Sequence, residues 1–133
     1  VFTTEEIYQL ISKKNKSIHL ENFLNFPKKF ENQKLCQKWF QYIKIRDICN
    51  ISIEEKRAAK EIGSSLEAAL IISLSKKDLE QIKGLDLSEL CITSSVIVKE
   101  GANKEIQVET RKAEGNKCPI CWKINKDKCL RHQ

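Results

Sequence analysis

The sequence predicts an α+β fold in three consecutive segments, and three observations lead to this prediction. Apolar residues recur at steps of three and four through much of residues 1–63, which is the period of an amphipathic helix. Beyond Gly63 the pattern changes to short runs rich in β-branched residues, which are typical of strands. The last 16 residues contain three cysteines and one histidine in two close pairs, Cys118 with Cys121 and Cys129 with His132. We therefore expect helices in 1–63, a small mixed α+β unit in 64–113 and a compact module in 114–133.

Capping and spacing signals predict the amino-terminal helices. Thr3-Thr4-Glu5-Glu6 fits a capping box with Thr3 as the N-cap, so a short helix is expected to run to about Lys14-Asn15. Apolar side chains at positions 18–26 predict that the following segment lies against a surface. One long helix, or two in line, is predicted from Glu31 to Ile62, and Gly63 is expected to end it in a left-handed conformation.

The middle segment predicts strands and one helix. Ser75 is expected to cap a helix over Lys76–Lys83 that Gly84 closes. The β-branched content predicts strands at Ala68–Leu74, at Leu90–Lys99 and, after a turn at Gly101-Ala102-Asn103, at Glu105–Arg111 as the partner of the second strand.

The basic charge of the chain is concentrated at one end. The 133 residues carry 24 lysines and arginines against 18 acids, a net charge of +6, and seven of these bases but only two of the acids lie in residues 111–133. Such a tail is typical of a protein that contacts a polyanion, although a solvated tail in a lysine-rich protein has the same composition. No apolar run is long enough to cross a bilayer and no secretory signal opens the sequence, so we expect a cytoplasmic protein with no membrane partner. The lack of methionine indicates a piece of a longer protein.

Four residues of the tail have the spacing of a metal site. Cys118 and Cys121 form a C-x2-C pair, and Cys129 and His132 form a C-x2-H pair seven residues later. Two such turns supply four ligands for one tetrahedral, structural zinc ion, a zinc knuckle with no open position for catalysis. A Cys118–Cys121 disulfide, a thioredoxin-like redox pair and a site that uses the three cysteines without His132 are alternatives.

The remaining cysteines and the other histidine have ordinary structural interpretations. Cys36, Cys49 and Cys91 each lie within an apolar stretch, which predicts core packing because free cysteine is among the most buried residue types. His19 is expected to be a loop residue and not a metal ligand. The sequence shows no arrangement of a nucleophile with a base, and no paired carboxylates, that would predict a catalytic site.

An aromatic residue and several bases accompany the predicted ligands. Trp122 either shields the cysteine sulfurs or stacks on a base of single-stranded RNA. The candidate RNA-binding residues are Trp122, Lys117, Lys123, Lys126, Lys128, Arg131, Arg46 and Arg57. Arg46 and Arg57 lie on a similar face of the long predicted helix, where they contact phosphates or pair with Asp47, Glu54 or Glu61.

Three segments together resemble the carboxy-terminal region of bacterial isoleucyl-tRNA synthetases. They are Val1-Phe2-Thr3-Thr4-Glu5-Glu6-Ile7, the stretch from Ile45-Arg46-Asp47 through Ile62-Gly63-Ser64-Ser65-Leu66-Glu67-Ala68, and Ala113-Glu114-Gly115-Asn116-Lys117-Cys118-Pro119-Ile120-Cys121-Trp122. Their order and spacing match the family across essentially the whole chain. One departure is that many members end the zinc site with a second C-x2-C after a longer connection, where this sequence has Cys129 and His132.

The resemblance implies a class I aminoacyl-tRNA synthetase as the parent protein, monomeric and using ATP to join isoleucine to its tRNA. Residues 1–63 would be the end of a helical anticodon-binding domain, 64–113 a junction unit and 114–133 a zinc module, which in the family contact the anticodon arm. The HIGH-like and KMSKS-like signatures of the catalytic domain are absent from the sequence, so no aminoacylation by this chain alone is expected.

Two other functions are compatible with a zinc module. One is the DNA-binding finger of a repair glycosylase, which would need a glycine- and arginine-rich ribbon that residues 123–128 lack. The other is an adaptor for protein partners, whose binding would not depend on salt.

Overall fold

The computed structural model describes residues 2–12, 16–101, 105–129 and 131–132. It divides into two compact units, residues 1–32 and 33–133. The predicted end of the first helix at Lys14-Asn15 and positions 102–103 of the predicted turn lie outside the described residues. Among the described helices none is long and apolar enough to span a membrane.

The first unit contains helix α1 (Phe2–Ile11) and single turns of 3-10 helix at Ile18–Leu20 and Lys28–Phe30. The Glu5 carboxylate joins the helix to the following segment, because it accepts a hydrogen bond from the Ser17 hydroxyl at 2.8 Å. It also accepts one from Gln9 of the same helix at 2.9 Å. These bonds lower the pKa of Glu5. Thr3 lies inside α1, so its prediction as the N-cap is wrong. Most of the apolar side chains expected to lie against a surface are exposed, Phe23 completely, and Ile18 is half-buried.

The second unit is built on one long helix, α2 (Gln33–Ala58), as predicted. Tyr42, Ile45, Cys49 and Ile53 form its buried stripe at steps of three and four. The helix ends before the predicted Gly63. Lys60 adopts a φ of +58°, and the Glu61 N–H bonds the Lys56 carbonyl at 3.1 Å in the manner of a Schellman motif. The left-handed residue is therefore Lys60, and Gly63 instead donates its N–H to the Glu67 carboxylate.

A three-stranded sheet packs against α2. Its strands are β1 (Ala68–Leu74), β2 (Ser95–Glu100) and β3 (Gln107–Lys112), in the order β2-β1-β3. Between β1 and β2 lie the short helices α3 (Lys76–Gln81) and α4 (Leu87–Leu90). Ser75 caps α3, and Gly84 follows it with a φ of +83°, as predicted. Two short strands, β4 (Asn116–Lys117) and β5 (Ile124–Asn125), pair in the carboxy-terminal module.

The pairing of the strands differs from the predicted hairpin. β2 runs parallel to β1, and β3 pairs antiparallel with β1 and not with β2. Residues 90–94, predicted as strand, instead end α4 and connect it to β2. A buried Leu87 in α4 and a buried Cys91 just after it explain the difference, because the local β-branched content does not reveal this packing.

The core lies between α2 and one face of the sheet. Alternate residues of β1 face it and are almost completely buried: Ala68, Leu70, Ile72 and Leu74. Cys49 and Cys91 belong to this core as predicted, but Cys36 is exposed on α2, so its predicted core role is wrong. A hydrogen bond with Cys49, and to a smaller extent the charge of the half-buried Arg46, lowers the pKa of Cys91.

One hydrogen bond joins α2 directly to β3. The hydroxyls of Ser52 and Thr110 lie 2.7 Å apart, and Thr110 is only 3% exposed. We expect Ser52→Ala to lower the free energy of unfolding by about 1–3 kcal/mol, because it leaves the buried Thr110 hydroxyl without its partner. Thr110→Val should cost less, because valine has a similar shape and the half-buried Ser52 can still bind water. Thermal and urea unfolding of the two variants measure this asymmetry.

Thr93→Val is the matched control. The Thr93 hydroxyl is completely buried and has no hydrogen-bond partner among the described residues. Its removal should leave the free energy of unfolding unchanged or raise it. Equal losses for Ser52→Ala and Thr93→Val would contradict the assigned role of the Ser52–Thr110 bond.

Candidate metal centre

Backbone hydrogen bonds fold the cysteine-rich module into two turns. The Cys118 N–H donates to the Lys123 carbonyl at 2.9 Å, and the Trp122 N–H donates to the Cys118 carbonyl at 3.0 Å. Trp122 adopts a φ of +64°, which reverses the chain after Cys121. The second turn is closed by a bond from the His132 N–H to the Cys129 carbonyl. The two turns therefore direct all four predicted ligand side chains to one place.

The ligand atoms of these four residues form one group. Sulfur and imidazole nitrogen atoms of Cys118, Cys121, Cys129 and His132 all lie within 4.8 Å of one another. Nδ1 of His132 lies 3.6 Å from the sulfurs of both Cys118 and Cys129, and the Cys121 and Cys129 sulfurs are 3.7 Å apart. The group has the composition and the proximity needed to hold one metal ion.

The distances also fit a tetrahedron. Ligand bonds of about 2.3 Å to sulfur and about 2.0–2.1 Å to nitrogen imply sulfur–sulfur edges of about 3.8 Å and sulfur–nitrogen edges of about 3.6 Å. Three of the six edges match these values: 3.7 Å between Cys121 and Cys129, and 3.6 Å from His132 to each of Cys118 and Cys129. All six cysteines are free, which removes the support for the disulfide alternative. His19 is exposed in the 3-10 turn and belongs to no such group among the described residues.

The thiols of the group differ in their acidity. Backbone N–H groups of Cys121 and Ile120 point at the Cys118 sulfur and lower its pKa to about 6. The Lys123 N–H also lowers the pKa of the Cys121 thiol. Burial and the neighbouring thiols of Cys118 and Cys129 raise it by more, so the pKa of Cys121 is raised overall. One thiolate therefore forms readily and opposes the next. A bound cation would offset this repulsion.

Ion pairs and a hydroxyl attach the module to the body of the unit. Lys123 is only 17% exposed and lies 2.6 Å from the Glu89 carboxylate, which Arg131 also contacts at 3.2 Å. These partners lower the pKa of Glu89. The Ile124 N–H donates to the Ser94 hydroxyl at 2.6 Å. Two of the predicted RNA-binding bases are therefore engaged within the protein.

The other predicted RNA-binding residues are more accessible. Trp122 is 60% exposed, and Lys117 Nζ lies 5.9 Å from the centre of its ring, within the range of a cation–π contact. Lys126 forms an exposed ion pair with Glu114, while Lys128 has no ion pair among the described residues. Arg57 pairs with Glu54 at 2.7 Å, one of the three acids named as alternatives to phosphate.

Gly115 lies directly before β4, at the start of the carboxy-terminal module of residues 114–133. Its φ is +125°, and a Cβ added there would overlap the Asn125 carbonyl across the β4–β5 pair. We expect Gly115→Ala to open this strand pair and weaken metal binding, because backbone atoms must move to admit the methyl group. Metal titration and thermal unfolding measure both effects.

Gly84→Ala is the matched control. Gly84 also has a positive φ, +83°, but open space surrounds its Cβ position. The Gly84→Ala variant should lower the free energy of unfolding by about 1–2 kcal/mol, because alanine is strained at a positive φ. Its metal affinity should be unchanged. Equal metal affinity in both variants would contradict the close packing at Gly115.

Comparison with known proteins identifies the relatives of this chain. It matches no family model. It is 62% identical over 131 residues, 98% of its length, to the isoleucine–tRNA ligase of Pelagibacter ubique. Over 95% of its length it is 34% identical to the enzyme of that name from Bartonella henselae and 36% identical to that from Agrobacterium fabrum. The chain spans only about 14% of the length of these relatives. The resemblance carried by the sequence motifs is thus confirmed: this chain matches the carboxy-terminal region of isoleucine–tRNA ligases and is related to them over nearly its whole length.

Proposed function

We propose that this chain is the part of an isoleucine–tRNA ligase that binds the anticodon arm of isoleucine tRNA. The parent would be a monomeric, cytoplasmic class I enzyme in which another domain carries ATP-dependent aminoacylation. Residues 1–63 would be the end of the anticodon-binding domain, 64–113 the junction unit and 114–133 a zinc module. The name of the relatives supports the RNA partner, and nothing in the comparisons supports a repair glycosylase or a protein adaptor.

The observation that carries the proposal is the exposed Trp122 ring beside the four-ligand group. One side of the ring is near Lys117, and the side chain remains 60% exposed. An exposed aromatic face next to cations is suited to stack on an unpaired base while phosphates are neutralised nearby. We assign direct RNA contact to Trp122, Lys117, Lys126 and Lys128 and phosphate contact to Arg46 and Arg57, while Lys123 and Arg131 hold the module through Glu89.

Zinc is the ion that best fits the Cys118, Cys121, Cys129 and His132 group. Three thiolates and one imidazole are a Cys3His donor set, and zinc accepts this set in tetrahedral structural sites. When bound, the ion cross-links the two turns and neutralises the thiolates. Only Cys118 is buried among the described residues of 114–133, so the module has too small a core to fold by burial alone.

The first test is metal content and its effect on folding. We expect about one zinc ion per chain. Cys121→Ser or chelation should expose residues 114–133 to protease while the sheet and α2 stay protected. Metal analysis, cobalt substitution spectra and limited proteolysis measure this. His132→Ala should weaken zinc affinity, which separates a four-ligand site from a three-cysteine site.

Cys36→Ser is the matched control for the metal test. Cys36 is an exposed cysteine of α2 outside the ligand group, so this variant should keep its zinc and its protease resistance. A chain that keeps the same protected carboxy-terminal module after zinc has been removed would contradict the structural role of the metal.

The second test is binding of isoleucine tRNA across a salt series. Trp122→Ala should weaken binding by about 5- to 150-fold, because stacking on an aromatic ring is worth about 1–3 kcal/mol per base. Lys128→Gln should reduce the slope of log affinity against log salt by about one. Electrophoretic titration with cognate and non-cognate tRNA measures both effects.

Lys123→Gln is the control for the lysine series. It removes the same charge from the same module, but its side chain faces Glu89 and is largely covered. Its main effect should be on the stability of the module and not on the salt slope. A salt-independent affinity of the unaltered chain would exclude electrostatic docking.

A further inference from the structure

Within the described residues of the second unit, helices cover only one face of the three-stranded sheet. The core takes up that covered face, so Ala69 and Ile71 of β1 point away from it. Ile71 pairs with Ile97 of β2, which is 55% exposed. Directly paired residues point to the same side of a sheet, so these two isoleucines form a continuous apolar floor.

The metal module forms a wall beside this floor. Ile124 and the residues after it border the sheet, and the hydrogen bond from the Ile124 N–H to Ser94 sets their position. The result is a groove of about 460 Å³ between β1, β2 and β5. This volume lies within the range of clefts that hold small organic groups.

Cations predominate along the rim. Four bases line the groove, Arg111, Lys112, Lys126 and Lys128, against two acids, Glu114 and Asp127. Two of the bases already have partners, since Arg111 contacts Glu109 at 2.7 Å and Lys126 contacts Glu114 at 3.2 Å. Lys112 pairs with Ala68, which faces the core, so its side chain leaves β3 on the core side of the sheet. Lys128 is exposed and has no ion pair within the described part of the chain, so it is available for an anionic ligand.

The groove continues toward the surface that carries Trp122. Residues 125–128 form its wall and also line the cleft beside the metal ligands, which Lys117 borders on the other side. Lys117 in turn lies over the Trp122 ring. The groove and the cleft that Lys117 borders are therefore neighbours on either side of residues 125–128.

We propose that this groove holds an unpaired nucleotide of the bound tRNA, with its base on Ile71 and Ile97 and a neighbouring phosphate at Lys128. The inference rests on the proposed function and extends it from Trp122 to a second subsite. A nucleotide combines a flat apolar surface with an anionic linkage, which is what an aliphatic floor and a neighbouring lysine can bind together. A protein segment without acidic residues would leave Lys128 without a partner among the described residues.

Ile97→Thr in the zinc-loaded full chain tests the floor of the groove. Threonine keeps the β-branch that suits the strand and removes apolar surface, and Ile97 lies outside the core. Affinity for isoleucine tRNA should fall about threefold to tenfold at every salt concentration, with the salt slope unchanged. Lys128→Gln should instead lower the slope by about one.

Val98→Thr is the matched control. Val98 is the next residue of β2, points to the other side of the sheet and does not line the groove. Its tRNA affinity should equal that of the unaltered chain. Cross-linking with tRNA that contains 4-thiouridine gives a second measurement, which needs no variant: cross-linked peptides should include residues 95–100 or 124–128.

The outcomes separate the two proposals. If the unaltered chain does not bind isoleucine tRNA, both proposals are overturned. If it binds, but Ile97→Thr keeps full affinity and cross-links occur only outside these two segments, the groove proposal alone is overturned. The floor would then be a surface for contact with protein. Loss of affinity in Ile97→Thr but not in Val98→Thr, together with the expected cross-links, supports the nucleotide site.

Discussion

The hydrogen bonds at the start of β1 hold the rest of the second unit in place. The Ala68 carbonyl accepts the Ser94 N–H at 3.0 Å, and the Glu67 carbonyl accepts the Ala113 N–H at 2.7 Å. The beginning of β2 and the end of β3 are thereby brought to the same end of the central strand. Because the metal module begins directly after Ala113 and bonds back to the Ser94 hydroxyl, its place beside the sheet depends on this small network.

Burial stabilises the sheet, whereas the carboxy-terminal module contains a group of side chains that could hold a metal ion. β1 can serve as the central strand because it hydrogen-bonds on both edges while every second residue enters the core. Residues 114–133 have no comparable core within their described part, so their shape depends on local turns, on the Glu89 ion pairs and on whatever ion the ligand group holds. The two parts therefore need different sources of stability even though they share one network of hydrogen bonds.

Some bases of the module form ion pairs within the protein and others face solvent, and the net charge does not distinguish the two kinds. Glu89 contacts Lys123 and Arg131, so these bases orient the module, whereas Lys128 remains unpaired among the described residues. A pair such as Lys123–Glu89, with the lysine largely covered, is screened less by salt than the exposed pair of Lys126 with Glu114. Counting bases in the last 23 residues therefore overestimates the number that a polyanion can reach.

Features set by neighbours along the chain were determined by the sequence itself. The buried stripe of α2, the strand β1, the Ser75 cap and the four ligand residues all depend on spacings of a few residues, which local backbone geometry converts directly into structure. Lys60 instead of Gly63, the exposure of Cys36 and the pairing of β3 with β1 were decided only by the tertiary structure. The same holds for the groove at Ile97 and for which of the described lysines form ion pairs. These features depend on which distant segments bury one another, and that competition is not encoded in any short stretch of the chain.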